Sequence, residues 1–327
     1  MKYIYLDQNK WIELAKGINQ TDTKYIELHQ TMVNNVKKGY WAFPLSSIHI
    51  TETMKRKDEI SRKQIVDLMY SISNGYTICD FSTADSIEFE YWVKSMNSDF
   101  SQLKTTMIKR DWGNIIGISI EEVFLKLGEQ NGLLPHQLEI LKKEIKNYYS
   151  DRDVFDYICQ IIKGDKIYED EEFFYDCYKK EKQSFIIWKQ DIEKNDEYKK
   201  KHLYPAYLLK VFFELYKTRI ESLSPEMKNN FAEMVEKNKK NKTMAISSLE
   251  AMPGFNIYNR LMFELNNNPD KKVHKHDFND LAYLRVAAPY CDIVIGENYW
   301  CDRVCHYGLE RKYNTIVTTK LFHLLDN

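Results

Sequence analysis

The apolar positions of this chain change their period twice. At the amino end a β-rich run, Lys2 to Leu6, gives way behind Asp7-Gln-Asn9 to helical spacing at Trp11, Ile12, Leu14 and Ala15. A second helix is expected over Lys24–Lys38 and a strand over Trp41–Leu45. Ser46 or Ser47 is then a natural N-cap for a helix carrying His49 and Glu52. Tyr76–Asp80, after Gly75, reads as a third short strand. From 81 to 269 the pattern is almost wholly helical. Ser119-Ile-Glu-Glu122 has the form of a capping box, and Pro135 and Pro225 stand where a helix begins, the latter behind Ser224. Strand character returns late: Asp277–Ala287 reads as a helix stopped by Pro289, Asp292–Ile295 as a buried strand and Thr315–Thr318 as another. The expected architecture is therefore an α/β core built from residues 1–80 and 270–327, with a mainly α-helical insertion or cap over 81–269. The two ends must meet in one sheet.

Composition supports this. The 327 residues suffice for one elaborated domain or two, and the 43% apolar content suffices for a sizeable core. Gly and Pro are scarce, at 11 and 7, which favours long helices over a turn-rich all-β chain. The aromatic residues of the middle segment, among them Tyr91, Trp92, Tyr148, Tyr149, Phe173, Phe174, Trp188, Phe212 and Phe213, recur near helical spacing and read as core rather than as a base-stacking platform.

Charge excludes less than it first suggests. The 47 basic and 48 acidic residues leave no chain-wide field for nucleic acid, but a local groove of Lys and Arg is enough for a nucleic-acid enzyme. The six cysteines are scattered through apolar runs and read as reduced thiols of a cytoplasmic protein. Cys301-x3-Cys305-His306 has no partner cluster to complete a zinc site. The first residues read as a strand rather than a secretory leader, and the most apolar stretch, 204–216, is broken by Lys210 and Glu214, so no membrane association is expected.

The candidate chemistry lies in carboxylates placed where strands end or helices begin. Asp7 closes the first strand, and Asn9 adds a second oxygen donor, though an N-cap role accounts for Asp7 equally well. Glu52 lies one helical turn after His49 and is expected over the same sheet edge, while His49 itself reads as structural. Asp277 and Asp280 open a late helix. Asp280 is favoured as a ligand and Asp277 as its capping or supporting partner, or the reverse. Glu297 follows Gly296 beyond a strand, beside Asn298, whereas Asp292 should lie at the opposite end of that strand. Clustered carboxylates repel unless a cation neutralises them, and oxygen-only sites suit Mg²⁺ or Mn²⁺. Ser46, Ser47, Asn9 and Asn298 are candidates for positioning a phosphate or water, with Lys10, Arg285 and Arg303 as clamps on a phosphate backbone.

Tyr5-Leu-Asp7-Gln-Asn9, Leu45-Ser-Ser-Ile-His-Ile-Thr-Glu52, Asp277-Phe-Asn-Asp280-Leu-Ala-Tyr-Leu and Pro289-Tyr-Cys-Asp-Ile-Val-Ile-Gly-Glu297-Asn-Tyr-Trp together resemble the PIN-domain ribonuclease superfamily. The resemblance covers the two ends and not the helical middle. It implies a Rossmann-like parallel sheet between helices and Mg²⁺- or Mn²⁺-dependent hydrolysis of phosphodiesters. The acids would be Asp7, Glu52, Asp280 and Glu297, with Asp277 in support. It further implies an endoribonuclease of toxin or phage-defence type, acting on RNA in preference to DNA, as a homodimer or with a protein inhibitor or effector. Two departures stand out: Glu297 occupies a position where many members carry Asp, and the helical insertion is long. A catalytically silent binding or scaffold protein on the same core, and a metal-dependent phosphatase, are the competing readings.

Overall fold

β1, Lys2–Leu6, becomes fully buried over its last three residues, which is the behaviour of a central parallel strand covered on both faces. The computed structural model that shows this describes every residue except 96–98, 120, 123–124, 126–128, 130–131, 141–149, 165–170, 240, 269, 275 and 327, and omits a few further side chains, including those of 171–174 and 177. Tyr148 and Tyr149, and the side chains of Phe173, Phe174 and Cys177, thus lie outside the described residues. The fold is mainly helical with a small parallel sheet, broadly α/β.

The chain forms two compact units. The first comprises Met1–Thr83, Lys104–Glu169 and Val286–Asn327, and the second Ala84–Leu103 and Asp170–Arg285. Residues 104–169, expected with the helical insertion, thus group with the sheet, and 270–285, expected with the sheet, group with the helices.

In the first unit, β1 leads into α1 (Gln8–Asn19) and α2 (Thr23–Lys37), which return the chain to β2 (Trp41–Ala42) alongside β1. β2 is shorter than the expected Trp41–Leu45. Pro44 has no N–H to donate to a ladder, and Leu45 instead bridges to Thr77 in β3 (Tyr76–Ile78). Between them lie α3 (Ser47–Met54) and α4 (Glu59–Ser73). β4 (Ile108–Arg110) pairs antiparallel with β3, a strand within the stretch read as almost wholly helical. Only three residues long and exposed at two of them, it carries no periodic signal.

The carboxyl-terminal segment supplies β5 (Ile293–Ile295) and β6 (Ile316–Thr318), giving an all-parallel sheet in the order β2-β1-β5-β6. Ile4, Tyr5 and Leu6 face Ile293, Val294 and Ile295 in register, so the two ends of the sequence do share one sheet. Trp11, Leu14, Leu28, Met32, Phe43, Ile50, Met69, Trp112 and Phe155 fill the core around it. The helix before β5 runs from Asp277 to Tyr290 and contains Pro289, which was expected to stop it. The last turn tolerates the ring, and Cys291 N–H still bonds Ala287 O at 2.8 Å.

α4 ends in two left-handed residues, Asn74 (φ 49°) and Gly75 (φ 81°). A Cβ at Gly75 would come within 3.2 Å of Arg110 Cγ. Gly75→Ala is expected to cost about 1–2 kcal/mol through the positive φ and the crowded β3–β4 pair, read as a lowered urea midpoint.

The second unit consists, among its described residues, of helices and the loops that join them, with no strand. Its interior is aromatic: Phe89 stacks on Tyr216 at 4.6 Å, and Trp92 meets Phe212 edge-on at 5.4 Å. Phe213, on the same helix as Phe212, is exposed. Buried Glu88 accepts Gly254 N–H at 2.9 and 3.0 Å, placing a carboxylate at the amino end of helix Pro253–Asn267. Asp85 binds Arg219 at 2.7 Å and also accepts from Tyr216 and Arg285. The five described cysteines carry free thiols, four of them buried.

Candidate active site at the carboxyl edge of the sheet

The chain leaves β1 toward β2 on one side and leaves β5 toward β6 on the other. The crevice beyond the carboxyl ends of β1 and β5 is therefore the point where the winding reverses. Open parallel sheets bind ligands there, because the connecting loops diverge and helix amino termini point in. Asp7 follows β1 directly and Glu297 lies two residues beyond β5. Asp7 N–H donates to Ile295 O at 2.8 Å, which locks these two chain ends side by side.

Asp7 has the N-cap role, at the end of a buried strand. Its Oδ1 accepts Gln8 N–H at 2.7 Å, capping α1, while only 4% of the residue remains accessible. The Asn9 amide donates to Glu297 Oε1 at 2.7 Å and reaches Asp7 Oδ2 at 3.4 Å, so one side chain spans the two acids. Glu297 and Asn298 are exposed, and Glu52 is half-buried. Burial is the first cause that pushes the Asp7 carboxyl up to about 7, followed by the negative charge of Glu52. Glu297 adds a smaller push, partly offset by the backbone N–H groups of Gln8 and Asn9.

Glu52 is placed by a set of buried bonds that tie α3 to the end of β1. His49 is fully buried. Its Nδ1 accepts Ser46 N–H at 2.9 Å, so Nε2 carries the proton and donates to Leu6 O at 2.6 Å. Burial lowers its pKa to about 4, with the Leu6 bond opposing, so the imidazole is neutral near pH 7. Ser46 Oγ shares a hydrogen bond with Tyr5 OH at 2.9 Å, and Gln8 Nε2 donates to Thr53 Oγ1 at 2.7 Å. His49 is thus the structural residue the sequence suggested. The positioning roles of Tyr5, Gln8 and Thr53 left no mark in the sequence, where a strand tyrosine and helix-start polar residues are routine.

Several candidates have other employment. Ser46 and Ser47 are buried, and the Ser46 hydroxyl is held by Tyr5. Arg285 is committed to Asp85 within the second unit. Arg303 lies against Asp302 and over the Tyr299 ring. Lys10 pairs with Glu13 at 2.9 Å and remains close enough to the site to act, with Asp7, on the Cys301 thiol. Asp292 sits at the far end of β5, bonded to Tyr3 N–H and Lys104. The structure brings Asp7, Asn9, Glu52 and Glu297 together in the first unit. Asp277 and Asp280 belong to the second. Both are buried, and Asp277 is bound by Lys271 at 3.0 Å and by His274 N–H at 2.7 Å, a local capping role.

Among the described residues no three His, Cys, Asp or Glu side chains are gathered at metal-ligating range. The donor chemistry of Asp7, Glu52 and Glu297 still fits a hard cation: all are oxygens, and a divalent ion among them relieves their mutual repulsion. No protein-family model, no curated protein and no solved structure matches this chain. No helix among the described residues is long and apolar enough to cross a membrane.

Proposed function

We propose that the first unit is a Mg²⁺- or Mn²⁺-dependent nuclease, an endoribonuclease of the PIN-like kind. The observation that carries this reading is the placement of Asp7 and Glu297 at the switch point of a parallel sheet, spanned by Asn9 and electrostatically coupled to Glu52. The preference for RNA over DNA, internal cleavage and the toxin or defence setting rest on the sequence resemblance alone, and a cytoplasmic location rests on the scattered cysteines.

In this reading Asp7, Glu52 and Glu297 hold the ion, and Asn9 keeps Asp7 and Glu297 at a fixed separation. A divalent ion held there would supply charge to neutralise a phosphate and to activate a water. Lys10 and the amino end of helix Asn298–His306 add positive potential for the phosphate. Asp280 and Asp277, the further acids of the resemblance, belong to the second unit and are given no part in this reading.

Calorimetric titration of the full chain with Mn²⁺, with cleavage of end-labelled single-stranded RNA in parallel, tests the proposal. Saturable heat and Mn²⁺-dependent internal products are expected, and Glu297→Gln should weaken both by about tenfold or more. No heat and no product at millimolar Mn²⁺ overturns the reading. Turnover of a phosphomonoester with RNA left intact would make the protein a phosphatase.

A further inference from the structure

Within the second unit, helices Glu171–Asn195, Leu203–Ser222 and Pro253–Asn267 enclose a half-open cavity of ≈ 350 Å³. This lies in the size range of small-molecule sites. One wall is a corner of three mutually tilted rings. Phe185 and Trp188 lie 5.6 Å apart, Phe185 and Tyr207 5.6 Å apart at 80°, and Trp188 and Tyr207 6.4 Å apart at 60°. Aromatic rings carry negative potential on their faces, so a wall of them favours an organic cation over an anion.

The polar groups of the cavity point the same way. Lys210 pairs with Glu214 at 2.9 Å and is also near enough to act on Glu181, so the described lining sets two acids, Glu181 and Glu214, against one cation. Glu181 stays open to water yet is surrounded by enough protein that desolvation raises its pKa, with Asn266 and Lys210 opposing and Glu214 adding to the rise. Asn259, also lining the cavity, donates its Nδ2 to Phe255 O at 2.8 Å, while its buried Oδ1 has no hydrogen-bond partner. A lining with more acids than cations, beside an aromatic wall, suits a positively charged donor. A nucleotide is disfavoured, because its phosphate would face Glu181 and Glu214 with the one lysine already engaged. Beside the cavity a groove of ≈ 820 Å³ shares Trp188 and Lys210 and carries Asp196 and Glu250, leaving room for a longer substituent.

We infer that this cavity binds a small organic cation bearing N–H donors, an alkylamine or guanidine, with the charge against Glu181 and the carbon chain against Phe185, Trp188 and Tyr207. The inference is independent of the nuclease reading, since its residues all belong to the second unit.

Calorimetry of the full chain with spermidine and with agmatine tests it, with adenosine monophosphate as the anionic comparison. Saturable binding of at least one amine is expected. Glu181→Gln should weaken it about tenfold by removing a charge-assisted hydrogen bond. Trp188→Leu should weaken it by a similar factor, and Glu226→Gln on helix Pro225–Lys239 should leave it unchanged. Glu181 is water-accessible, so its variant is expected to fold, checked by an unchanged Tm without ligand; the Glu181 result stands even if Trp188→Leu does not fold. Absence of heat from both amines at millimolar concentration overturns the inference. So does unaltered affinity in folded Glu181→Gln, or binding of the nucleotide in place of the amines.

Discussion

Asp7→Asn is expected to reduce Mn²⁺-dependent RNA cleavage by on the order of 10²–10³-fold while making the metal-free protein more stable at pH 8. The first effect follows from losing the charge at the centre of the proposed site. The second follows from burial. The folded-state pKa of Asp7, about 7, lies above its ordinary value of 3.8, so the native state binds more protons than the unfolded state between those two values. Stability from this group is fully present below the ordinary value and is lost as pH rises through the folded-state value. Above pH 7 the cost of the buried charge is on the order of a few kcal/mol. Asparagine keeps an acceptor for Gln8 N–H and removes the charge. Melting curves with a chelator should show the variant gaining on the wild type between about pH 4 and 7 and holding its lead above that range. Added Mn²⁺ at pH 8 should raise the wild-type Tm and leave Asp7→Asn nearly unmoved. An advantage that does not vary with pH, or equal Mn²⁺ stabilisation of both proteins, would show that Asp7 is only a helix cap.

His49→Ala is the second large effect, expected to cost about 4 kcal/mol or more in denaturant unfolding. It removes a buried ring packed 4.8 Å from Tyr5, and with it both the Nε2–H bond to Leu6 O and the acceptor for Ser46 N–H. A buried polar group stripped of its partner costs about 1–3 kcal/mol, and the vacated volume adds to that. Because these bonds hold α3 against β1, Mn²⁺ affinity should fall as well, although His49 touches no ion in the proposed mechanism. His49 also opposes Asp7 in pH dependence. Its folded-state pKa, near 4, lies below the ordinary 6.5, so its contribution is present above that ordinary value and is lost as pH falls through the lower one. The two residues tilt the stability curve in opposite senses across nearly the same range. The wild-type profile should therefore be flatter between about pH 4 and 7 than that of either variant. A His49→Ala protein as stable as wild type would remove the pinning role assigned to this ring.

The site's local parts were readable because short-range chemistry specifies them. Asp7 before a helical period is both the end of a strand and a cap, and the structure uses it so. Pro225 begins its helix behind Ser224, whose Oγ accepts Met227 N–H, and Pro135 begins another. Signals failed where a neighbour distant in sequence made the decision. β4 exists because Tyr76–Ile78 offers it a partner, and β2 stops short because Leu45 bonds across to β3. The Ser46 hydroxyl, free on paper to meet a phosphate, is taken by Tyr5, 41 residues earlier. Arg285 is likewise taken by Asp85.

By itself the order of apolar and polar residues determined that both ends are strand-rich, that the middle is helical, and that acids stand at the strand tips. Those properties depend on interactions within a few residues of backbone, so a linear text contains them. Only the tertiary structure decided that Ile4–Leu6 lies in register with Ile293–Ile295, bringing Asp7 within reach of Glu297 through Asn9. Only it grouped Asp277 and Asp280 with the helices of the second unit, and only it opened the aromatic cavity beside Glu181. Strand register and cavity shape come from packing between residues tens to hundreds of positions apart, and local propensity has no term for that.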